Sequence, residues 1–318
     1  MIRILIDGNN MVYRNNIVSE LYTKQGQRTS GILGTLNNIR FILELFRKEL
    51  KEEIGEVICV FDAGHSKRRV SLFPDYKAHR KQERSEEDEL FMKEFIQQAN
   101  SLYESLPFFG VKTFKRSGWE ADDLLYGTLE NLKTRYPQDR MVLVSTDEDF
   151  HQLLDTNVEI FHPIKKEFLN LENYEQKMNI PHEGFLFYKI LRGDPSDGIP
   201  GIKGIGEKTA KSLVNEYKRL DLMLADKEGL NKSKRTARIL TKEGLLTLDR
   251  NNKLINLKDY VDISDVQEDI ESLLDSELFV DSRLAKDYLM KYQLTSILVK
   301  WDQWIHLFEL MTEGDDEE

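Results

Sequence analysis

The sequence has little of what marks secreted or membrane proteins. It contains one cysteine, Cys59, so no internal disulfide can form, and this cysteine lies in an apolar segment where a reduced core thiol is expected. The longest apolar run that we find has five residues, from Val57 to Phe61, whereas a membrane-spanning helix needs about 20. Asp7 interrupts the first apolar stretch, unlike in a secretory signal. These absences predict a cytoplasmic protein with no membrane association.

Basic charge is also in the minority, with 45 Lys and Arg against 56 Asp and Glu and a net charge of −11. Taken alone, this balance argues against nucleic acid as a partner. The distribution weakens that argument, because residues 65–84 hold seven basic and two acidic residues and residues 200–242 hold eleven and five. Five carboxylates fall in the last six residues, 313–318. We expect this acidic tail to be disordered or to aid solubility; repulsion of DNA or contact with a replication partner are the alternatives.

Strand-like and helix-like segments alternate over the first part of the chain, which predicts an α/β fold with a mainly parallel sheet covered by helices on both faces. After about residue 180 the strand signals end and short helices with glycine-rich turns follow. We therefore predict a core at 1–180, a helical region at 181–312 and the acidic tail at 313–318. The expected strands are 2–6, 57–61, 141–145 and 158–161, and the expected helices are 31–50, 85–105 and 119–132.

Acidic residues follow the predicted strands or open the next helix. Each has an ordinary explanation as a turn residue or a partner of the helix dipole. The carboxyl ends of parallel strands, however, line a single crevice, where so much negative charge needs a counter-charge. Carboxylate oxygens suit Mg²⁺ or Mn²⁺, and the six scattered histidines do not suggest zinc. The candidate metal ligands are Asp7, Asp62, Glu120, Asp122, Asp123, Asp147, Asp149, Asp194 and Asp197.

Two metal ions held by such carboxylates suit in-line displacement at phosphorus. The basic segment 65–84 would serve a phosphodiester substrate. In it, Lys77 and Arg80 are three residues apart and are placed to reach one phosphate, and Tyr76 is a candidate base-stacking ring. The alternative is a solvated basic helix without a ligand.

A glycine-rich turn from Ile199 to Ala210 predicts a helix-hairpin-helix, which binds the duplex backbone without reading sequence. The alternative is an ordinary loop between two helices. The candidate DNA-binding residues of this turn and its following helix are Gly201, Ile202, Lys203, Gly204, Ile205, Gly206, Lys208, Thr209 and Lys211.

These segments together resemble the structure-specific 5′-nucleases, which include flap endonucleases, the 5′-nuclease domain of bacterial DNA polymerase I and phage RNase H. The resemblance covers about residues 1–215, and the segment 250–257 is similar to the C-terminal region of the phage RNase H branch. The matching motifs are IDGNN at 6–10, FDA at 61–63, YKAHR at 76–80, EADD at 120–123, STDED at 145–149 and GDPSDGIPGIKGIGEKTA at 193–210.

The resemblance implies a PIN-like core with a helical arch at about 66–100 and a helix-hairpin-helix at about 194–215. It implies that the nine acids hold two Mg²⁺ ions, that Mn²⁺ can substitute, and that a K⁺ ion binds the turn at 201–206. Lys77 and Arg80 would be the catalytic residues of the arch that steer the scissile phosphate. The implied activity is cleavage of 5′ ends, 5′ flaps and RNA primers on DNA.

Further expectations concern the chain's context. No polymerase domain follows, and the C-terminus lacks a clear sliding-clamp peptide, so we expect a stand-alone, monomeric nuclease of a bacterial or phage-infected cell. A single-stranded-DNA-binding protein is a candidate partner. Two other functions stay open: a non-catalytic, structure-specific DNA-binding module, and a PIN-type ribonuclease that acts on structured RNA.

Overall fold

The computed structural model describes residues 1–81 and 85–312. Residues 82–84 of the predicted arch and the predicted acidic tail, 313–318, lie outside the described residues.

A six-stranded sheet forms the centre of the N-terminal part. Its strands lie in the order β3-β2-β1-β4-β5-β6; the first five are parallel and β6 is antiparallel to β5, which confirms the predicted α/β class with a mainly parallel sheet. Sequence patterns missed β3 and β6, because each has only three residues. The strands are β1 (Ile2–Asp7), β2 (Ile54–Val60), β3 (Lys112–Phe114), β4 (Arg140–Val144), β5 (Val158–His162) and β6 (Glu167–Leu169).

Helices surround the sheet and make up most of the rest. Those of the first 180 residues are α1 (Gly8–Val18), α2 (Ser30–Glu44), α3 (Lys67–Leu72), α4 (Glu86–Ser105), α5 (Ala121–Arg135) and α6 (Leu171–Met178). Then come α7 (Phe185–Arg192), α8 (Glu207–Tyr217), α9 (Leu220–Ala225), α10 (Lys227–Asn231), α11 (Lys242–Ile255), α12 (Leu257–Tyr260), α13 (Gln267–Asp275), α14 (Ser282–Lys291), α15 (Thr295–Leu298) and α16 (Trp301–Thr312). Two short strands, β7 (Gly193–Asp194) and β8 (Ile199–Pro200), pair between α7 and α8. No helix in the described ranges has the length and apolarity to cross a membrane.

Alternating side chains of the strands fill two separate cores. On β1, Ile2, Ile4 and Ile6 join the core under α1, α2 and α4, whereas Leu5 joins the core under α5 and α7. This two-residue period is what a strand produces when both of its faces are covered.

The last helices return to the first of these cores. Trp304 stacks on Phe308 at a ring distance of 4.8 Å, and Phe109, which follows α4, lies 5.9 Å from Trp304. The predicted helical region 181–312 therefore divides in the structure, because α14–α16 bury their apolar faces against the N-terminal part. Helical pattern alone does not say which core a helix covers.

Candidate active site at the carboxyl edge of the sheet

The ends of three parallel strands are tied together by the acids that follow them. The Asp7 carboxylate accepts hydrogen bonds from the backbone N–H of Asn10 at 3.0 Å, which caps α1, and from the Ser145 hydroxyl at 3.0 Å. Asp62 accepts one from the backbone N–H of Ala121 at 2.7 Å, at the start of α5. The acids thus help build the edge at which they lie.

Five of the candidate acids influence one another through their charges. Burial raises the pKa of Asp7 to about 7, and the charges of Asp62 and Asp147 add to the rise. Burial and the charge of Asp147 also hold the pKa of Asp122 well above its ordinary value. Such shifts are expected where carboxylates crowd without a counter-ion. We call these residues the first acidic group: Asp7, Asp62, Glu120, Asp122 and Asp147.

Three other candidate acids form a second acidic group: Asp149, Asp194 and Asp197. One carboxylate oxygen of each lies within 4.8 Å of the other two. The Lys189 ammonium lies 2.6 Å from Asp149 Oδ1 and donates a hydrogen bond to Asp194 Oδ2 at 2.7 Å. Burial raises the pKa of Asp149 to about 6. Burial acts in the same direction on Asp194, but Lys189 and Ser196 outweigh it and the pKa lies below its usual range.

The two groups differ in how closely their oxygens meet. Within residues 1–81 and 85–312, the second acidic group is the one set whose atoms lie close enough to share an ion. The structure thus brings three of the nine predicted ligands within reach of one ion, and the assignment of the other six stays a prediction. The donor set still fits divalent ions: hard carboxylate oxygens from separate segments, with pKa values that a bound cation would lower.

Asp123 and Glu120 share a buried arginine that sequence patterns did not single out. Arg69 donates to both oxygens of Asp123 at 2.7 Å and to Glu120 Oε2 at 2.8 Å, and all three side chains are buried. Both carboxylate oxygens of Asp123 therefore have an arginine partner in this structure. An arginine among other basic residues gives no sequence signal of burial.

Lys189 was also missed, although it had a signal. It is the single charged residue in the apolar stretch from Phe185 to Leu191, and its side chain is buried. A lone lysine on an apolar helix face, five residues before Asp194, indicates a buried ion pair.

Lys77 and Arg80 reach back from the segment after α3 to the acids. The Lys77 ammonium donates to Glu120 Oε1 at 2.9 Å, and Arg80 donates to Asp197 Oδ1 at 2.8 Å. Burial opposes the charge of Lys77, but Asp197 and Glu120 outweigh it and raise its pKa above the ordinary value. Both cations are thus held at the acidic edge where we expected a phosphate to bind.

Tyr76 is not an exposed ring in the structure. It is 4% exposed and packs with Ile199, Leu254 and Ile255. Its hydroxyl hydrogen-bonds to Glu120 and to Asp197, at 2.8 and 2.9 Å. The expected base-stacking surface is therefore absent here, because the ring serves to join the two acidic groups.

The glycine-rich turn lies between α7 and α8. A side-chain carbon on Gly201 would lie 2.0 Å from the Arg192 carbonyl oxygen, so only glycine allows this close approach. Ile202 and Ile205 are buried and anchor the turn, whereas Lys203 and Lys208 are exposed. The turn thus has an apolar inner side and a basic outer side.

Neighbouring residues extend the basic side of the turn. Arg238 donates to the Lys203 carbonyl at 3.1 Å, and Arg235 donates to the Thr209 hydroxyl at 3.3 Å. Gly206 is the N-cap residue of α8, which therefore has no side-chain cap. Lys211, by contrast, is 24% exposed and pairs with Glu207 at 3.0 Å, so part of its charge is already balanced.

Two protein-family models match consecutive parts of the chain. A model described as the 5′-3′ exonuclease N-terminal resolvase-like domain matches residues 3–179, and one described as the 5′-3′ exonuclease C-terminal SAM fold matches residues 180–274.

Individual relatives include nucleases and polymerases. A 5′-3′ exonuclease of Bacillus subtilis is 28% identical over 92% of this chain and 94% of its own length. One of Buchnera aphidicola subsp. Acyrthosiphon pisum is 31% identical over 69% of this chain and 71% of its own length. DNA polymerase I of Caldicellulosiruptor bescii is 33% identical over 69% of this chain. The chain spans about a quarter of the length of the polymerases it matches.

Solved structures share the fold. A T5 5′-exonuclease with bound divalent metal ions (zinc) superposes with a TM-score of 0.68 at 22% identity, covering 91% of this chain and 99% of that one. A T5 flap endonuclease in complex with DNA and metal ions gives 0.64 at 22% identity, covering 92% and 100%.

Proposed function

Because this chain belongs to the 5′-3′ exonuclease family, we propose that it is a metal-dependent 5′-nuclease. It hydrolyses phosphodiester bonds at 5′ ends and 5′ flaps of duplex DNA, including RNA primers on DNA. The observation that carries this proposal is the meeting of acids from separate strands with Lys77 and Arg80 at one edge of the sheet.

The acids at the edge are the metal ligands of the proposed enzyme. Two Mg²⁺ ions, or Mn²⁺ in their place, would supply an activated water and stabilise the leaving oxygen. The second acidic group would hold one ion, and Asp7, Asp62, Asp122 and Asp147 of the first group would hold the other. The raised pKa values of Asp7 and Asp149 support these assignments, since a bound cation favours the ionised carboxylates.

Lys77 and Arg80 bind and orient the scissile phosphate. Their present partners are carboxylates, so a phosphate that enters the edge would offer them the same kind of charged acceptor. The exposed Lys203 and Lys208 bind the duplex backbone beside the cut, and a K⁺ ion at the turn 201–206 is part of the proposal. We place the enzyme in the cytoplasm, as a monomer, with a single-stranded-DNA-binding protein as a candidate partner.

Product mapping tests the function directly. End-labelled flap, nicked and RNA-primed duplexes are incubated with and without Mg²⁺, and binding of the same duplexes is measured separately. We expect Mg²⁺-dependent cleavage by the wild type, and for Asp147→Ala a loss of cleavage with binding retained. Cleavage at the normal rate by Asp147→Ala would refute the metal assignment, and binding without cleavage by the wild type would favour a non-catalytic DNA-binding module.

A further inference from the structure

Arg69 of α3 is a buried arginine beside the proposed active site. Its side chain is 4% exposed, and four of its N–H groups have acceptors. Two acceptors are the acids of the first turn of α5, Glu120 and Asp123, and the third is the backbone carbonyl of Leu254. We propose that Arg69 is a positioning residue for phosphodiester hydrolysis, which fixes Glu120 while the end of α11 fixes Arg69. This rests on the proposed nuclease function.

Glu120 is the group through which Arg69 acts. Glu120 Oε2 accepts from Arg69 and from the Tyr76 hydroxyl, while Oε1 accepts from Lys77. The Arg69 guanidinium also donates to both oxygens of Asp123 in the first turn of α5, so its planar fork sets the position and the rotation of this turn. Since Lys77 bonds to Glu120, a displaced Glu120 also displaces the cation that meets the phosphate.

The end of α11 holds Arg69 in turn. The last carbonyls of a helix have no partner within the helix. Arg69 donates to the carbonyl of Leu254 at 3.0 Å, and its neighbour Arg68 donates to that of Lys253 at 2.5 Å. On the same helix, the buried Asn251 donates to the carbonyls of Ile190 and Pro200, beside the glycine-rich turn. Helix α11 therefore connects the proposed duplex-binding turn with the residue that positions Glu120.

Arg68 is the matched control for this role. It lies next to Arg69 and donates a hydrogen bond to the same helix end, at the backbone carbonyl of Lys253 rather than to an acid. Flap cleavage is measured for Arg69→Ala, Arg69→Lys and Arg68→Ala, with kcat, KM and melting temperature for each. We expect Arg69→Ala to lower kcat about 100-fold, which a displacement of about 1 Å can cause, while KM changes less than about threefold. Arg68→Ala should keep kcat within about threefold of the wild type.

A double-mutant cycle with Glu120→Gln separates positioning from general stability. If Arg69 acts through Glu120, the kcat of the double variant is little lower than that of the more impaired single variant. If the two residues act independently, the two fold-reductions in kcat multiply. Arg69→Lys keeps the buried positive charge but lacks the planar guanidinium, so it replaces Arg69→Ala in the cycle if that variant does not fold. The inference is overturned if Arg69→Lys retains the wild-type kcat, or if Arg69→Ala lowers kcat no more than Arg68→Ala does. It is also overturned if the reductions in kcat of Arg69→Ala and Glu120→Gln multiply in the double variant. A wild type that does not cleave would instead overturn the proposed function.

Discussion

The two acidic groups at the sheet edge balance their charge in different ways. The second acidic group pairs with Lys189 of α7, a buried lysine that lies 2.7 Å from Asp194. The first acidic group pairs through Glu120 with Arg69 of α3 and with Lys77 from the segment after α3, and its member Asp7 has a pKa raised to about 7. Asp194 therefore has a counter-charge five residues away along the chain, whereas the two cations that pair with Glu120 lie 43 and 51 residues away from it.

The largest expected effect comes from removing each of the two lysines, Lys189 and Lys77, in separate variants. Lys189→Met leaves Asp149 and Asp194 buried without their partner, and breaking such a buried pair costs about 3–5 kcal/mol of stability. Lys77→Ala should instead lower kcat about 100-fold with a smaller change in melting temperature, because it removes a donor to the reacting phosphate. Urea unfolding and steady-state cleavage of both variants check this, and a reversed pattern would contradict the comparison.

A second prediction uses the opposite pKa shifts of Asp7 and Asp194. The raised pKa of Asp7 means that its ionisation costs the folded protein stability as pH rises from about 4 to about 7, by about 4 kcal/mol for three pH units. In the metal-free protein, Asp7→Asn should therefore gain stability over the wild type across this range.

Asp194→Asn is the matched variant of opposite sign. The lowered pKa of Asp194 contributes stability above its ordinary value of 3.8, and this contribution disappears as pH falls. The stability that Asp194→Asn loses relative to the wild type should therefore be largest near pH 7 and smaller in acid. Unfolding free energies in EDTA between pH 3 and 8 test both, and parallel curves for the two variants would show that the groups do not differ.

The smallest expected effect concerns duplex binding by the glycine-rich turn that follows the second acidic group. Lys208 is exposed, so its ammonium is accessible to a phosphate of the duplex backbone. Lys208→Ala should weaken duplex binding equally across sequences and reduce the slope of log affinity against log salt by about 0.9. Arg219→Ala is the control, because Arg219 already pairs with Asp221 at 2.7 Å. Equal losses in both variants would assign the effect to overall charge.

Much of this arrangement could be predicted from the sequence, and the remainder depended on contacts between distant segments. The strand that ends at Asp7 and the strand shortly before Asp147 are mostly apolar, so their positions follow from local pattern. Tyr76 was assigned to stacking because a tyrosine beside Lys77 is consistent with an exposed ring. Its partner Glu120 lies 44 residues away, and no local pattern predicts that bond.

The same limit applies to the buried cations. Arg69 meets Asp123 across 54 residues and Leu254 across 185. Side-chain burial in such cases depends on how the layers are assembled rather than on the period of apolar residues. The short strand β3 was missed for a related reason, since three residues give too little pattern to read.

The return of α14–α16 to the first core has a consequence for how the molecule is divided. The family models together reach residue 274, yet the aromatic rings of Trp304 and Phe308 cover Phe109 in the N-terminal half. A fragment cut at that border would expose this aromatic surface to water. The border of the family models therefore does not coincide with a border in the apolar core, since the last helices pack into the same core as the first ones.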